Sequence, residues 1–232
     1  MTMASIGMFG FRKAFLDFLF YETCFSCGKS GATVCKRCLN SLEPARLKCL
    51  KCGQHNPYGL YCAGCSSESR PNQVLAIYRY NNLAKDLIHI FKYEDGQLLA
   101  SIFGDKLSFA IKKYRLNDFV LVPIPLSKKR LRYRGYNQSF LLVNEISRHE
   151  GVPFADIMER RQSVLSQVQT GSRGERRQNV KGIFSIKKDI DLPRKIILVD
   201  DVITTGATVE EAAKVLKRAG VGDVRVLSLA IG

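Results

Sequence analysis

Two adjacent carboxylates, Asp200 and Asp201, follow an apolar run and directly precede a hydroxyl-rich turn. The segment Ile196–Thr208 reads I-I-L-V-D-D-V-I-T-T-G-A-T. Carboxylates accept hydrogen bonds from vicinal sugar hydroxyls or coordinate a divalent metal, but they repel a phosphate. The turn suits a phosphate, because its hydroxyls and amides precede a predicted helix with a positive N-terminus. The segment therefore predicts a ribose clamp beside a phosphate cradle.

The predicted phosphate cradle consists of five consecutive residues, Thr204, Thr205, Gly206, Ala207 and Thr208. The alternative interpretation is a buried strand capped by aspartate and followed by an ordinary turn. The block resembles the diphosphoribose-binding signature of type I phosphoribosyltransferases, and all thirteen positions fit that pattern. The resemblance implies a site for phosphoribosyl diphosphate with Mg²⁺, in which Asp200 and Asp201 hold the ribose hydroxyls.

All eight cysteines form C-x2-C pairs. The pairs are Cys24/Cys27, Cys35/Cys38, Cys49/Cys52 and Cys62/Cys65. Two thiolates at this spacing bind one tetrahedral zinc ion from a single turn. Disulfides are disfavoured, because a secreted protein would not confine its cysteines to such pairs. With no cysteine left over, the sequence predicts two closed zinc sites, which are structural rather than catalytic.

The cysteine segment repeats itself, since C-F-S-C-G and C-L-K-C-G are each followed by another C-x2-C pair. A glycine after the second cysteine permits a tight turn in which backbone amides point at sulfur. The repeat predicts one zinc ribbon per half with sequential ligand pairing, while a RING-like cross-brace stays open. His55 is interpreted as a bystander, and the module as a docking or nucleic-acid-contact device.

A second block, V-P-I-P-L-S-K-K-R-L-R-Y-R-G-Y-N-Q-S, spans Val122–Ser139. It predicts a strand that ends at Pro125, a basic loop, and a helix opened by G-Y-N-Q. In a parallel sheet this strand end faces the same edge as the two aspartates. The residues expected to meet a pyrophosphate are Ser127, Lys128, Lys129 and Arg130.

A third block, Ser166–Phe184, is polar, basic and too long for a plain connection. Its composition predicts a mobile lid that shields a reactive cation from water. The net charge of +15 suits a polyanionic small molecule or single-stranded nucleic acid, with a solvated basic face as the alternative. Two tyrosines are interleaved with arginines and either stack on bases or pack on the adjacent helix. The nucleic-acid candidates are Arg132, Tyr133, Arg134, Tyr136, Arg173, Arg176, Arg177 and Lys181.

Alternating strand and helix patterns predict an α/β fold with a doubly wound, Rossmann-like and mostly parallel sheet. The predicted strands are Val74–Tyr80, Phe119–Ile124, Lys195–Val199 and Val224–Ile231. The predicted helices are Leu83–Phe91, Leu98–Ala110, Asn137–His149 and Val209–Ala219. We expect an amphipathic helix segment in residues 1–23, a double zinc ribbon in 24–66 and a phosphoribosyltransferase-like domain in 73–232.

No apolar run reaches the ~20 residues that a bilayer span requires. No small-residue cleavage site precedes Cys24. We therefore expect neither a membrane span nor a signal peptide, and a cytoplasmic location.

Taken together, the blocks resemble the ComF family, the competence-associated phosphoribosyltransferase-like proteins of naturally transformable bacteria. The resemblance rests on the cysteine-rich front, V-P-I-P-L…R-G-Y-N-Q, Q…R…N…F and I-L-V-D-D-V-I-T-T-G-A-T, in that order. It implies a type I phosphoribosyltransferase core and a role in bringing transforming DNA into the cytoplasm. It also implies a helicase-like DNA-import ATPase as partner, with recruitment to the inner face of the membrane.

Two functions remain open at this point. One is an active transferase of nucleotide salvage or metabolism, which displaces pyrophosphate from ribose C1 through an oxocarbenium-like state toward an unidentified acceptor. Similar purine-salvage enzymes carry an acid at the position of Thr204, so the threonine argues against a purine acceptor. The other is a DNA-handling module that keeps the pocket for binding or sensing. A transcriptional regulator would need a helix-turn-helix instead of zinc ribbons.

Overall fold

The structure is a computed structural model that describes residues 23–94, 96–161 and 182–232. The chain divides into two compact units, Met1–Leu42 and Glu43–Gly232. This boundary falls inside the segment predicted as one double ribbon, so the second C-x2-C quartet shares a compact unit with the sheet. Residues 1–22 of the predicted amphipathic helix segment lie outside the described residues.

The first unit contains the turn of the first C-x2-C pair and the short helix α1 (Lys36–Asn40). A backbone bridge between Thr23 and Ser30 closes the turn. The amide of Gly28 donates to the carbonyl of Cys24 at 2.8 Å, and Gly28 has a φ of 69°. This left-handed conformation is the reason that glycine follows the second cysteine.

The second unit is built on a four-stranded sheet in which every neighbouring pair is parallel. Its strands are β1 (Gln73–Arg79), β2 (Val120–Pro123), β5 (Lys195–Ile203) and β6 (Asp223–Ile231). Their order across the sheet is β1-β6-β5-β2. The side chains of Ile196–Val199 in β5 are fully buried, as expected of a parallel strand covered on both faces. The predicted α/β class with a parallel sheet is confirmed.

Five α-helices accompany the sheet in the described part of this unit. They are α2 (Asn82–Tyr93), α3 (Gly96–Lys113), α4 (Lys128–Arg134), α5 (Gln138–Glu150) and α6 (Ala207–Arg218). Asparagine caps begin two of them: the side chain of Asn81 accepts from the amide of Ala84, and that of Asn137 accepts from Ser139. Such caps satisfy amides that the first helical turn leaves unpaired.

The structure departs from the sequence-based expectations at three places. Strand β5 runs past the aspartates to Ile203, because β6 continues beside it although β2 stops at Pro123. The expected basic loop is the helix α4, which Ser127 caps and Gly135 ends with a φ of 79°. A short antiparallel pair, β3 (Met158–Arg160) and β4 (Phe184–Ile186), was not predicted, since three-residue strands show no clear alternation.

Most of the predicted lid, Ser166–Phe184, lies outside the described residues, which resume at Gly182. Across the described ranges, no helix has both the length and the apolar character needed to cross a bilayer.

Candidate functional site at the carboxyl end of the sheet

The two aspartates lie in β5, one and two residues beyond the last pair that this strand forms with β2, Pro123 with Val199. Successive strand residues point to opposite faces, and the two carboxylates accordingly have different partners. The hydroxyl of Ser139 and the amide of Asp201 donate to Asp200 Oδ1 at 3.2 and 2.9 Å. The pair therefore stands where the carboxyl ends of parallel strands gather, as predicted.

Lys92, the penultimate residue of α2, pairs with the second aspartate. Its Nζ lies 2.9 Å from Oδ1 of Asp201, and the two side chains are only 19% and 11% exposed. A shielded ion pair of this kind is screened little by salt. Lys92 thus neutralises Asp201 in the ligand-free site and can present its ammonium group to an anionic ligand.

The protonation of the first aspartate is shifted by its surroundings. Burial of the carboxyl group and the adjacent Asp201 carboxylate raise the pKa of Asp200 to about 7. The amide of Asp201, the ammonium of Lys92 and the hydroxyl of Ser139 act in the opposite direction. A ligand hydroxyl or a divalent cation that favours the carboxylate form would therefore release a proton near neutral pH.

The R-G-Y-N-Q-S segment holds the end of α2 in place. The hydroxyl of Tyr136 donates to the carbonyl of Phe91 at 2.8 Å, and Nε2 of Gln138 donates to the carbonyl of Lys92 at 3.3 Å. The hydroxyl of Tyr136 also covers Gly96, where an added Cβ would lie 2.1 Å from it. These contacts agree with the packing alternative for Tyr136.

The same segment also reaches both neighbouring strands. Nδ2 of Asn137 donates to the carbonyl of Ile124, just after β2, at 3.0 Å. Two residues later, Ser139 contacts the carboxylate of Asp200 on β5. Four consecutive side chains thus tie α2, β2 and β5 together, so this segment positions the site.

The predicted phosphate cradle joins β5 to α6. Gly206 has a φ of 77° and stands at the N-cap, where it offers no side chain to the first-turn amides. The hydroxyl oxygen of Thr205 accepts weakly from the amide of Ala207 at 3.4 Å. Thr204 is exposed, whereas Thr205 and Thr208 are half-buried. The loop therefore offers hydroxyls and backbone amides at a helix N-terminus, a combination that suits a phosphate.

The residues predicted at the pyrophosphate now lie around the start of α4. The side chain of Ser127 accepts from the amide of Arg130 at 3.3 Å, which is a helix-capping contact. Lys128, Lys129 and Arg130 are exposed. Burial lowers the pKa of Arg160, the nearby Arg130 lowers it further, and the Asp200 carboxylate acts in the opposite direction. Arg160 therefore feels the charges of both the basic helix α4 and the aspartate pair.

An aromatic and basic surface adjoins the ion pair of Lys92. The ring centroids of Tyr93 and Tyr133 are 6.1 Å apart in an edge-on arrangement. The guanidinium of Arg134 lies 4.7 Å from the Tyr93 ring centroid and donates to its hydroxyl at 2.8 Å. Tyr133 is 80% exposed and Tyr93 44% exposed. We call Tyr93, Tyr133 and Arg134 the tyrosine platform.

Of the other residues predicted to contact nucleic acid, one is described by the structure and four are not. Arg132 is exposed on α4, next to Tyr133 in the chain. The remaining four, Arg173, Arg176, Arg177 and Lys181, lie outside the described residues.

The cysteines form two separate clusters, each with its four sulfurs within 4.8 Å of one another. The clusters are Cys24, Cys27, Cys35 and Cys38, and Cys49, Cys52, Cys62 and Cys65. Sulfur separations of 3.5, 3.7 and 3.9 Å occur within them. Tetrahedral zinc with bonds of about 2.3 Å places its sulfurs about 3.8 Å apart. The clusters fit two zinc ions, sequential pairing is confirmed, and His55 belongs to neither cluster.

Backbone amides prepare the first cysteine of each cluster for metal binding. Burial opposes ionisation of Cys24, but three backbone amides outweigh it, and its pKa is lowered to about 6. One of these amides, that of Cys35, donates to Cys24 Sγ at 3.3 Å. The same balance lowers the pKa of Cys49 to about 6. Zinc binds the thiolate, so this arrangement favours the metal-bound form.

Sequence reasoning missed three residues that contact the aspartates or lie near them, Lys92, Ser139 and Arg160. Lys92 ends an amphipathic helix, where a lysine is unremarkable because it also suits the helix dipole. Arg160 lies in a strand too short to predict. Only Ser139 belongs to a sequence block with a predicted role, Val122–Ser139. Its contact with Asp200 depends on the fold.

The comparisons with known proteins agree with this architecture. Residues 15–66 match the double zinc ribbon domain, and residues 136–230 match the phosphoribosyl transferase domain. The first match includes all eight cysteines, and the second includes the aspartate pair and the loop 204–208.

Curated relatives match large parts of the chain. The chain is 36% identical to competence protein ComFC of Streptococcus pneumoniae (strain ATCC BAA-255 / R6), over 66% of each chain. It is 31% identical to competence protein ComFC of Bacillus subtilis (strain 168), over 83% of this chain and 81% of that protein. It is 31% identical to competence protein F of Haemophilus influenzae (strain ATCC 51907 / DSM 11121 / KW20 / Rd), over 78% and 83%. The chain therefore belongs to the ComF family, with an N-terminal double zinc ribbon and a phosphoribosyltransferase-like domain.

Proposed function

We propose that the chain binds phosphoribosyl diphosphate with Mg²⁺ at the carboxyl end of the sheet. The observation that carries this proposal is the adjacency of three features at the end of β5, the start of α6 and the end of α2. They are a carboxylate pair, a hydroxyl-rich loop at a helix N-terminus, and a shielded lysine. A phosphorylated sugar that also carries a pyrophosphate matches all three.

Each part of the ligand has a group of the right chemistry. Asp200 and Asp201 suit the ribose hydroxyls, and their oxygens are ligands that Mg²⁺ prefers. The loop 204–208 suits the 5′-phosphate. Lys92, Arg130 and the residues at the start of α4 suit the pyrophosphate, since ammonium and guanidinium groups pair well with phosphate oxygens.

The raised pKa of Asp200 gives this proposal a pH test. Ribose hydroxyls and Mg²⁺ favour the carboxylate, so affinity should rise with pH until the group is ionised in the free protein. With a pKa of about 7, the gain between pH 6 and pH 8 should be about tenfold. The ligand phosphates titrate in the same range, and Asp200→Asn removes only the contribution of the protein. We expect the pH slope of calorimetric affinity to be steeper in wild type than in Asp200→Asn, and equal slopes would contradict the assignment.

We further propose that the chain acts in the cytoplasm on DNA taken up during natural competence, and that it binds single strands. Three relatives named as competence proteins support the role. A helicase-like DNA-import ATPase, which would recruit the chain to the inner face of the membrane, is the partner that the family resemblance implies. The supporting surface is the tyrosine platform at the end of α4, where exposed rings can stack on bases and the helix supplies positive charge.

The DNA proposal is tested by fluorescence anisotropy with a labelled oligothymidine strand. Tyr133→Ala should weaken binding by about tenfold, because one stacked base contributes ~1–3 kcal/mol. Tyr58→Ala is the matched control, since Tyr58 is also exposed, at 65%. Arg132→Ala should flatten the salt slope by about 0.7 if it neutralises one phosphate. Arg132 is preferable to Arg134, whose guanidinium is already bonded to Tyr93 and Gln138.

The platform begins one residue after Lys92, so the two proposed ligands are neighbours. Saturating phosphoribosyl diphosphate should therefore lower the affinity for the strand. Unchanged affinity would assign the ligands to separate surfaces. Equal losses in Tyr133→Ala and Tyr58→Ala would contradict the platform itself.

Transfer of the phosphoribosyl group remains the alternative activity of the same site. Thr204 offers a hydroxyl where an acid would assist a purine. Release of pyrophosphate in the presence of a base or a nucleic acid would establish a transferase. Binding without release would support a sensing or DNA-handling role.

A further inference from the structure

The second cysteine cluster contacts the proposed phosphate loop through an apolar side chain. Leu50 lies between two ligands of that cluster, Cys49 and Cys52. A Cβ added to Gly206 would lie 2.8 Å from Leu50 Cδ1 and within 3.7 Å of two further Leu50 carbons. Leu50 is also partly buried against the core of the second unit. The tip of the zinc knuckle therefore rests on the residue at which the loop turns into α6.

Two polar side chains near the cluster engage the first turn of α6. The hydroxyl of Tyr61 donates to Glu210 Oε1 at 3.0 Å, and Nε of Arg70 lies 3.8 Å from the same oxygen. The Arg70 guanidinium also lies 5.6 Å from the Tyr61 ring centroid.

The charge of Glu210 explains why such partners matter. Its amide bonds to the carbonyl of Gly206 at 2.9 Å, which places it in the turn that follows the loop. A carboxylate there stabilises the helix but repels an anion at the same N-terminus. The hydrogen bond from Tyr61 and the nearby Arg70 offset that repulsion.

We propose that the second zinc ribbon positions the phosphate loop and tunes its affinity for a phosphomonoester. Leu50 fixes the turn at Gly206, while Tyr61 and Arg70 offset the charge of Glu210. All three are positioning residues, since they act through the loop and the helix rather than on the ligand. The ligand part of this inference rests on the proposed function, whereas the mechanical part concerns the ligand-free chain.

The mechanical part is tested by hydrogen exchange on the amides of residues 204–210 in the ligand-free, zinc-loaded full chain. Leu50→Ala should speed exchange there by about tenfold, because the loop loses the contact that limits its opening. Leu50→Met should restore protection. Leu60→Ala is the control, since Leu60 belongs to the same ribbon but is 41% exposed. Elemental analysis should give two zinc ions in each variant, so that lost metal cannot explain the change.

The charge part is tested by calorimetry with ribose 5-phosphate as the probe. Arg70→Met should weaken its binding by about threefold to tenfold, and adding Glu210→Gln should reverse that loss. Unchanged exchange in Leu50→Ala, or equal changes in Leu60→Ala, would overturn the positioning role. Failure of Glu210→Gln to reverse the loss would overturn the charge role. If wild type does not bind ribose 5-phosphate, the phosphate site fails, while hydrogen exchange still decides the mechanical coupling.

Discussion

Replacing Cys62 with serine will release one of the two zinc ions per chain and destabilise the second unit. The reason is that Cys62 belongs to only one cluster, whose sulfurs are already at zinc-like spacing. Zinc binding free energy is also folding free energy, on the order of 10 kcal/mol for isolated ribbons. We therefore expect the free energy of unfolding of the second unit to fall by about 5 kcal/mol or less.

The measurements are elemental analysis of purified protein and denaturant titration. Cys24→Ser should also remove one ion, from the other cluster. His55→Ala is the matched control and should retain both, since His55 lies within the second ribbon segment but outside its cluster. Loss of both ions from Cys62→Ser would indicate a shared or cross-braced site, and loss of zinc from His55→Ala would make His55 a ligand.

Exchanging both aspartates for asparagine will abolish most Mg²⁺-dependent binding of phosphoribosyl diphosphate. Each carboxylate would accept charge-assisted hydrogen bonds or coordinate the metal, and their joint loss should cost roughly 2–4 kcal/mol. This corresponds to a loss of affinity of about thirtyfold to a thousandfold. Because the change frees Lys92 from its ion pair, residual binding of the pyrophosphate should become independent of Mg²⁺.

Asp223→Asn is a suitable control for this double variant. Asp223 begins β6, at the amino end of the strands, whereas the aspartate pair lies toward their carboxyl end. The ion-pair partner of Asp223 is Arg225, at 3.0 Å. It changes one carboxylate on a strand without approaching the site. Wild-type affinity in the double variant, or an equal loss in the control, would show that the ribose assignment is wrong.

The sequence predicted those parts of the molecule whose chemistry is local. The C-x2-C pairs specify their own clusters, because a zinc ribbon is closed by residues about ten apart. The strand, carboxylate pair and loop of Ile196–Thr208 are contiguous, so their order in the chain is also their order in space. The parallel sheet followed from strands that alternate with helices, and each of the four predicted strands is present.

The parts that could not be predicted depend on contacts between distant segments. Lys92 and Asp201 are far apart in the chain, and their ion pair needs α2 to end at the carboxyl edge of the sheet. Tyr136 and Gln138 hold this end of α2 through hydrogen bonds to its carbonyl groups. Their motif is visible in the sequence, but these hydrogen-bond partners are not. The sequence likewise does not predict that the second ribbon belongs to the same compact unit as the sheet. The contact between Leu50 and Gly206, which are distant in the chain, becomes visible only in the fold.

The predicted basic loop shows a different kind of error. The run K-K-R-L-R-Y-R has no apolar period that would predict a helix. It forms α4 because Ser127 caps the start and Gly135 permits the end, while no residue of the helix is buried. Local capping can thus outweigh the lack of an amphipathic pattern in a short exposed helix.

The central claim is that the carboxyl end of the sheet is a site for phosphoribosyl diphosphate. The most direct test is a calorimetric titration of the wild-type, zinc-loaded chain with phosphoribosyl diphosphate, with and without Mg²⁺. We expect one ligand per chain, tighter binding with Mg²⁺, and displacement by ribose 5-phosphate, which would occupy the same loop. No heat of binding, or binding that neither Mg²⁺ nor ribose 5-phosphate alters, would contradict the claim.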